Sequence, residues 1–275
     1  MVVYFTAINT RRVSVNRFII SMCFVTLFFL AGCSTSNKNI VYQTSTIDAL
    51  IAGVFDGDIS LTMLASHGNF GIGTFDNLDG EMILLEGTFY QVKADGKIYQ
   101  PTNTMETPFA TVCNFNPDNQ FNIPSGSTIQ MVEDLINEKA PNQNLFYAIK
   151  IEGTFKNIKT RSVPEQKKPY PPLSEVTKTQ PEFNMENISG TIVGFRCPAF
   201  VKGINVPGYH LHFISKDHRQ GGHILGLEIS SAVAQLDVLD QYVLQLPTDG
   251  EAFAKTDLSK DRSSELNRVE KEKQQ

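Results

Sequence analysis

Tyr209–Gly226 reads YHLHFISKDHRQGGHILG and holds four of the five histidines in this 275-residue chain. Tyr209-His210-Leu211-His212-Phe213 alternates with period two, the pattern of a strand, so His210 and His212 share one face while Tyr209, Leu211 and Phe213 share the other. Polar residues and the pair Gly221-Gly222 then predict a turn. His223 follows eleven residues after His212 and opens a second, largely apolar run to Ile229. A hairpin that sets His223 beside the HxH pair converges three imidazoles on one point. Three protein nitrogens with a fourth position left for water or substrate is the composition of a catalytic divalent-metal site. The plainer alternative is that some of these histidines are surface turn residues. His218, among Lys216, Asp217 and Arg219, is read that way.

The N-terminus sets an address. Residues 1–17 carry Arg11, Arg12 and Arg17 and no acid, and Phe18–Ala31 is then largely apolar. That run is too short for a bilayer span, and basic, apolar, then small residues is the order of a secretory signal peptide. Leu30-Ala31-Gly32-Cys33 resembles the bacterial lipoprotein cleavage box, which makes 1–32 a signal peptide and Cys33 the lipidated first residue of the exported chain. Ser34 after the cysteine favours the outer membrane over retention at the inner one. Loss of the three arginines takes the formal charge from −5 to about −8. Such an acidic chain, with no basic stripe, argues against nucleic acid as a partner. Cys113 and Cys197 lie in apolar surroundings outside any metal spacing and read as a pair or as two buried free thiols.

Residues 33–45 are polar and read as a tether. Thr46–Val54 has helical apolar spacing with Thr46 as its cap, and Ile59–Ser66 reads as a second short helix, with His67 at its end given no role. From Phe70 the pattern turns to β, with short apolar runs at 71–75, 80–85, 87–92 and 97–100 separated by Asn/Asp/Gly turns. Glu81 stands at the mouth of one of these runs, where a turn carboxylate is the plain reading. Thr128–Glu138 is the best amphipathic helix. Asn144–Ile158 reads as a central strand, and Arg161 follows it as a surface charge or something more. Pro164–Pro181, with KKPYPP at 167–172, reads as an extended connector. Residues 190–195, the histidine hairpin, 233–238 and 241–246 are further strands, and 248–275 is a charged tail that composition alone calls frayed or disordered. The fold class expected is α+β, β-dominated. Two mixed-sheet subdomains (46–163 and 164–247) would hold the metal site between them.

Several pieces together resemble the α-acetolactate decarboxylases. They are Asp56-Gly57-Asp58, Gly71-Ile72-Gly73-Thr74-Phe75, Asp79-Gly80-Glu81, Phe89-Tyr90-Gln91, Asn144–Ala148, Thr179-Gln180-Pro181, Gly190–Phe195, Tyr209–Phe213 and Gly221-Gly222-His223. The resemblance implies an enzyme that decarboxylates 2-acetolactate to acetoin, with Zn2+ on His210, His212 and His223. It further implies an essential glutamate at Glu81, an essential arginine at Arg161 and a threonine beside the site at Thr74. A second glutamate would come from the tail, where Glu270 matches best and Glu265 and Glu272 are rivals. It also implies a homodimer. The lipoprotein-type leader departs from the family's usual secreted or cytoplasmic address.

The chemistry asked of these residues is consistent. Losing CO2 from a β-keto acid leaves an electron pair that must delocalise as an enediolate, and three neutral imidazoles leave a cation's full charge facing the substrate. Arg161 would pair with a carboxylate or with the enediolate. A glutamate donates a proton near neutral pH only if its pKa is raised, so at least one of the two is expected to be buried. Two other readings stay open. HxH also occurs in metallohydrolases, although those add a metal-bound carboxylate and more histidines, and this sequence has only His67 and His218 to spare. A non-catalytic lipoprotein that binds a metal or small ligand is the other, and it would be favoured by Glu81 or Arg161 lying far from the histidines.

Overall fold

His210, His212 and Ile214 point toward one sheet of the protein, and Leu211 and Phe213 point into the core of another. The computed structural model describes residues 39–270. The expected signal peptide, Cys33, the first part of the tether and the rival Glu272 lie outside the described residues. The strands are β1 (Ile40–Thr44), β2 (Ile59–Ser60), β3 (Phe70–Thr74), β4 (Glu81–Leu85), β5 (Thr88–Val92), β6 (Ile98–Tyr99) and β7 (Glu106–Thr107). They continue as β8 (Ala110–Cys113), β9 (Asn119–Ile123), β10 (Phe146–Arg161), β11 (Glu182–Cys197), β12 (Gly208–Ser215), β13 (Gly221–Leu239) and β14 (Gln241–Gln245). Residues 39–270 belong to one compact unit.

Two sheets carry the architecture, the expected β-dominated α+β arrangement. A seven-stranded sheet runs β14-β1-β8-β3-β4-β5-β6 and is mixed, because β1 pairs parallel with β14 and antiparallel with β8. A five-stranded antiparallel sheet runs β10-β11-β12-β13-β9 and closes on itself, because β10 also pairs with β13. Closure removes the free edges of its two longest ladders.

The partition of the chain between the sheets differs from the expected one. The break anticipated near residue 164 does not separate them: β9 and β10, placed by sequence in the first part, belong to the second sheet, and β14 belongs to the first. The reason is pairing length. β10 bonds β11 from Tyr147 to Arg161 and β13 from Phe146 to Arg161, so it cannot stand apart from either. Composition along the chain carries no signal of such long-range pairing.

The tether is also corrected. Ile40–Thr44 is a strand inside the seven-stranded sheet, with Val41 and Tyr42 buried. Its polar residues are buried with their bonds made, as a buried amide requires: Gln43 Nε2 donates to the carbonyls of Ser45 at 2.7 Å and Ile204 at 2.8 Å. Thr46 caps the helix Ile47–Ile51 as expected, accepting from Ala49 N at 3.2 Å. Ile59–Ser60 is a short strand rather than the start of the second helix, which spans Leu61–Ala65. The tail, as far as Glu270, is partly helical where composition predicts fraying or disorder. It forms helices Glu251–Lys255 and Ser263–Glu270, and the second buries Leu266 and Val269. Cys113 and Cys197 are buried free thiols.

Alternation along β4 and β12 decides where the site can form. Ile83 and Ile214 meet in the apolar layer between the sheets, whereas Leu211 and Phe213 join the core inside the closed sheet. Phe213 and Phe155 are both fully buried there and meet edge to face at 5.3 Å, each stabilising the fold by roughly 1.5–3 kcal/mol. Residues two positions from an inter-sheet residue share its face. Glu81, two before Ile83, therefore faces the second sheet. His212 and His210, two and four before Ile214, face the first.

Candidate metal centre and active site

One rung of the second sheet assembles most of the site. His212 on β12 is paired directly with His223 on β13, and His223 is paired in turn with Arg161 on β10. Cross-strand partners put their side chains on one face, so three strands present His212, His223 and Arg161 side by side, with His210 one pleat away. The glycines expected to form the turn lie in β13 instead, and the turn falls at 216–219 with His218 exposed at φ +54°. Gly222 adopts φ +131°, and a Cβ there would meet Arg161 O at 2.4 Å. Glycine at this position lets β13 approach β10 closely enough for the rung to form.

The three imidazoles converge. Their ring centroids are 5.0, 5.0 and 5.4 Å apart, and their ligand nitrogens all lie within 4.8 Å of one another. His212 Nδ1 lies 2.9 Å from the Met82 carbonyl, which fixes the proton on Nδ1 and turns Nε2 toward the centre. His212 Nε2 and His223 Nδ1 are buried without a hydrogen-bond partner, a cost of about 1–3 kcal/mol each when nothing satisfies them. Burial, foremost, with help from the Arg161 charge, pushes the His210 pKa down to about 3. His212 and His223 are held well below the usual histidine range by burial, with smaller contributions from their charged and imidazole neighbours. Two unpartnered nitrogens, with a third neutral imidazole whose ligand atom lies within 4.8 Å of them, fit a divalent cation.

The acids and the arginine stand against this cluster. Glu81, at the mouth of β4, places Oε2 3.6 Å from His212 Nε2 and Oε1 3.3 Å from Arg161 Nη1. Glu270, the last residue of helix Ser263–Glu270, places Oε2 3.8 Å from His223 Nε2 and Oε1 4.0 Å from Arg161 Nη2. Arg161 Nη2 also donates to the Val269 carbonyl at 3.2 Å. Burial raises the Glu81 pKa to about 7, opposed by the Arg161 charge and reinforced by Glu270. Burial raises Glu270 to about 7 as well, again opposed by Arg161. A cation on the triad would pull both downward. Thr74, paired with Glu81 across β3 and β4, donates its hydroxyl to Gly80 O at 2.6 Å and lines the same cavity.

That cavity has a volume of about 30 Å³. Its polar wall is Thr74, Glu81, Arg161, His210, His223 and Glu270, and its apolar wall includes Leu78, Phe109, Leu173 and Val269. Thr74, Glu81, Arg161, His210, His223 and Glu270 thus meet in one place, with His212 behind them 3.6 Å from Glu81. Glu81 and Arg161 lie beside the triad, which removes the ground for a site that only binds a metal. Glu265 instead faces Arg262 at 3.5 Å. The apolar wall was not legible in sequence. Leu78 sits in a turn at φ +57° next to Asn77 at φ +59°, and a leucine in a left-handed turn gives no composition signal.

The chain is similar to known proteins over most of its length. The sequence model described as alpha-acetolactate decarboxylase matches residues 41–260. The alpha-acetolactate decarboxylase of Methanosarcina mazei is 45% identical over 238 residues, covering 86% of this chain and 82% of that protein. That of Methylococcus capsulatus is 44% identical, covering 84% of this chain and 88% of its own length. The crystal structure of alpha-acetolactate decarboxylase from Bacillus subtilis strain 168 superposes with a TM-score of 0.83 at 40% identity, covering 85% of this chain and 100% of that one. Fold, length and sequence agree over nearly all the described residues, and this chain belongs to the alpha-acetolactate decarboxylase family of enzymes.

Proposed function

We propose that the protein converts 2-acetolactate to acetoin and CO2 with Zn2+ on His210, His212 and His223. The observation that supports this most is the meeting of three neutral imidazoles, of which His212 and His223 are buried, with the buried Glu81 and Arg161 and the half-buried Glu270 around one small cavity. Loss of CO2 breaks the C1–C2 bond and leaves its electron pair on C2, delocalised into the neighbouring ketone as an enediolate. When bound, the cation supplies Lewis-acid polarisation of the ketone and hydroxyl oxygens. Arg161 offers a buried positive charge to the carboxylate or to the enediolate oxygen, worth more there than in water. Glu81 and Glu270, raised toward neutrality by burial, can hold a proton and release it to C2. Leu78, Phe109, Leu173 and Val269 give the cavity an apolar wall, which suits a carbon that must take a proton from an acid rather than from water.

The test is acetoin formation from racemic acetolactate by the purified enzyme, as isolated, after chelation, and after zinc is added back. Activity lost with the chelator and restored by zinc is the expected result. Tight zinc binding without acetoin would overturn the reading.

The enzyme is further proposed to be exported and lipid-anchored at Cys33, on the strength of the basic, apolar and Leu-Ala-Gly-Cys order of residues 11–33. Among the described residues no helix is long and apolar enough to cross a membrane. Labelled palmitate is expected in the membrane-bound wild type and not in Cys33→Ala, which should move to the soluble fraction. Unlabelled wild-type protein in the soluble fraction would count against the anchor.

A further inference from the structure

The connector 164–181 has a task at the site. Glu81 is reached through the turn Asp76–Gly80, in which two successive non-glycine residues, Asn77 and Leu78, are left-handed, followed by Gly80 at φ +86°. Left-handed leucine is rare and strained, and persists only where surroundings hold it. The turn is pinned at both ends. Asp76 Oδ1 accepts from Gly57 N at 2.7 Å, and Asp79 Oδ2 lies 2.6 Å from Lys93 Nζ and accepts from Gln91 Nε2 at 3.0 Å. Its strained middle is held by the connector. Gln166 N donates to Asn77 O at 2.8 Å, and the Tyr170 hydroxyl lies between Asn77 Oδ1 and Asp56 Oδ1, the latter at 3.0 Å. Lys168 closes on Asp56 at 2.7 Å, and the Tyr170 ring packs on Phe55 at 5.3 Å between centroids. Phe55 O in turn accepts from Asn77 N at 2.9 Å.

We propose that Tyr170 is a positioning residue for the reaction: through Asn77 and Asp56 it fixes the left-handed turn that aims Glu81 at Arg161 and the histidine cluster. Its ring packs on the apolar cluster that holds Phe55 and Leu78, while its hydroxyl bonds Asp56 and Asn77, so the hydroxyl acts on Glu81 through the turn. A strained turn released from its brace relaxes toward ordinary backbone. Glu81 is one residue beyond Gly80, so a small change of turn geometry displaces its carboxyl directly. Misplacement on the order of 1 Å costs up to about 100-fold in rate. The proposal rests on the role given to Glu81 above.

Tyr170→Phe keeps the ring on Phe55 and removes the hydroxyl. The expected result is kcat lower by about 10- to 100-fold, with KM and bound metal nearly unchanged and little change in melting temperature. In a Glu81→Gln background the same substitution is expected to cost nothing further, because residues that act as one unit are not additive. Asp56→Ala, which removes the hydroxyl's other partner, should show the same dependence on Glu81 and serves if Tyr170→Phe folds poorly. An unchanged kcat, or a loss that multiplies with Glu81→Gln, would overturn the brace. Wild-type enzyme that makes no acetoin would count against the decarboxylase reading instead, so the two failures are distinguishable.

Discussion

His212→Asn is expected to abolish metal binding and lower acetoin formation by about 10³- to 10⁴-fold, while the protein stays folded. The size follows from the role given to the cation. Lewis-acid stabilisation of developing charge is worth several kcal/mol, and each 1.36 kcal/mol is tenfold in rate. Asparagine is the informative substitution because of what His212 does with its other nitrogen. Its Nδ1 faces the Met82 carbonyl at 2.9 Å in a wholly buried place. Alanine would strand that carbonyl, at about 1–3 kcal/mol, and confuse a lost ligand with a damaged core. The asparagine amide can still donate to Met82 O, and it has no nitrogen where Nε2 stood. Metal content by atomic emission should fall from one per chain to none, with a melting temperature close to wild type. Retained metal with retained activity would remove His212 from the ligand set.

The triad was legible because two simple periodicities suffice for it. Period two placed His210 and His212 together, and the long apolar run after His223 demanded a second strand beside the first. The turn between them was misplaced by a few residues without harm, since what matters is the pairing of His212 with His223. Glu81 and Arg161 were different. Composition gave a turn carboxylate and a surface arginine, and only resemblance to a family moved them to the site. The physical reason is that their neighbours are far away in sequence: Arg161 meets His223 across a 62-residue separation, and Glu81 reaches His212 from the other sheet. The tail shows the same limit. Its charge predicts fraying, yet two apolar residues, Leu266 and Val269, spaced three apart, dock the helix onto a surface built by distant segments. Glu270 then arrives beside Arg161 as a consequence. The strand Ile40–Thr44 was hidden for a related reason, because its buried Gln43 is satisfied by carbonyls of Ser45 and the distant Ile204.

Glu81→Gln separates proton handling from metal binding. The amide has the shape of the acid, so Arg161 Nη1 keeps an acceptor near 3.3 Å and the triad is left intact. What is lost is a transferable proton, and general acid catalysis contributes about 10²- to 10⁴-fold. The expected outcome is a fall of kcat in that range with one metal still bound per chain, the reverse of the His212→Asn pattern. Stability should move the other way from activity. Burial pushes the Glu81 pKa to about 7 against the pull of Arg161, and a neutral isostere removes the cost of keeping an ionisable carboxyl there. A melting temperature at or above that of the wild type is therefore expected, the trade of stability for chemistry found where a site holds a strained or desolvated group. Glu270→Gln should follow the same pattern if both acids handle the proton. A Glu81→Gln enzyme with full kcat would pass the proton role to Glu270, which touches His223 and Arg161 from the tail helix. Glu81 would then keep only its bond to Arg161, and the substitution would register as a change in KM alone.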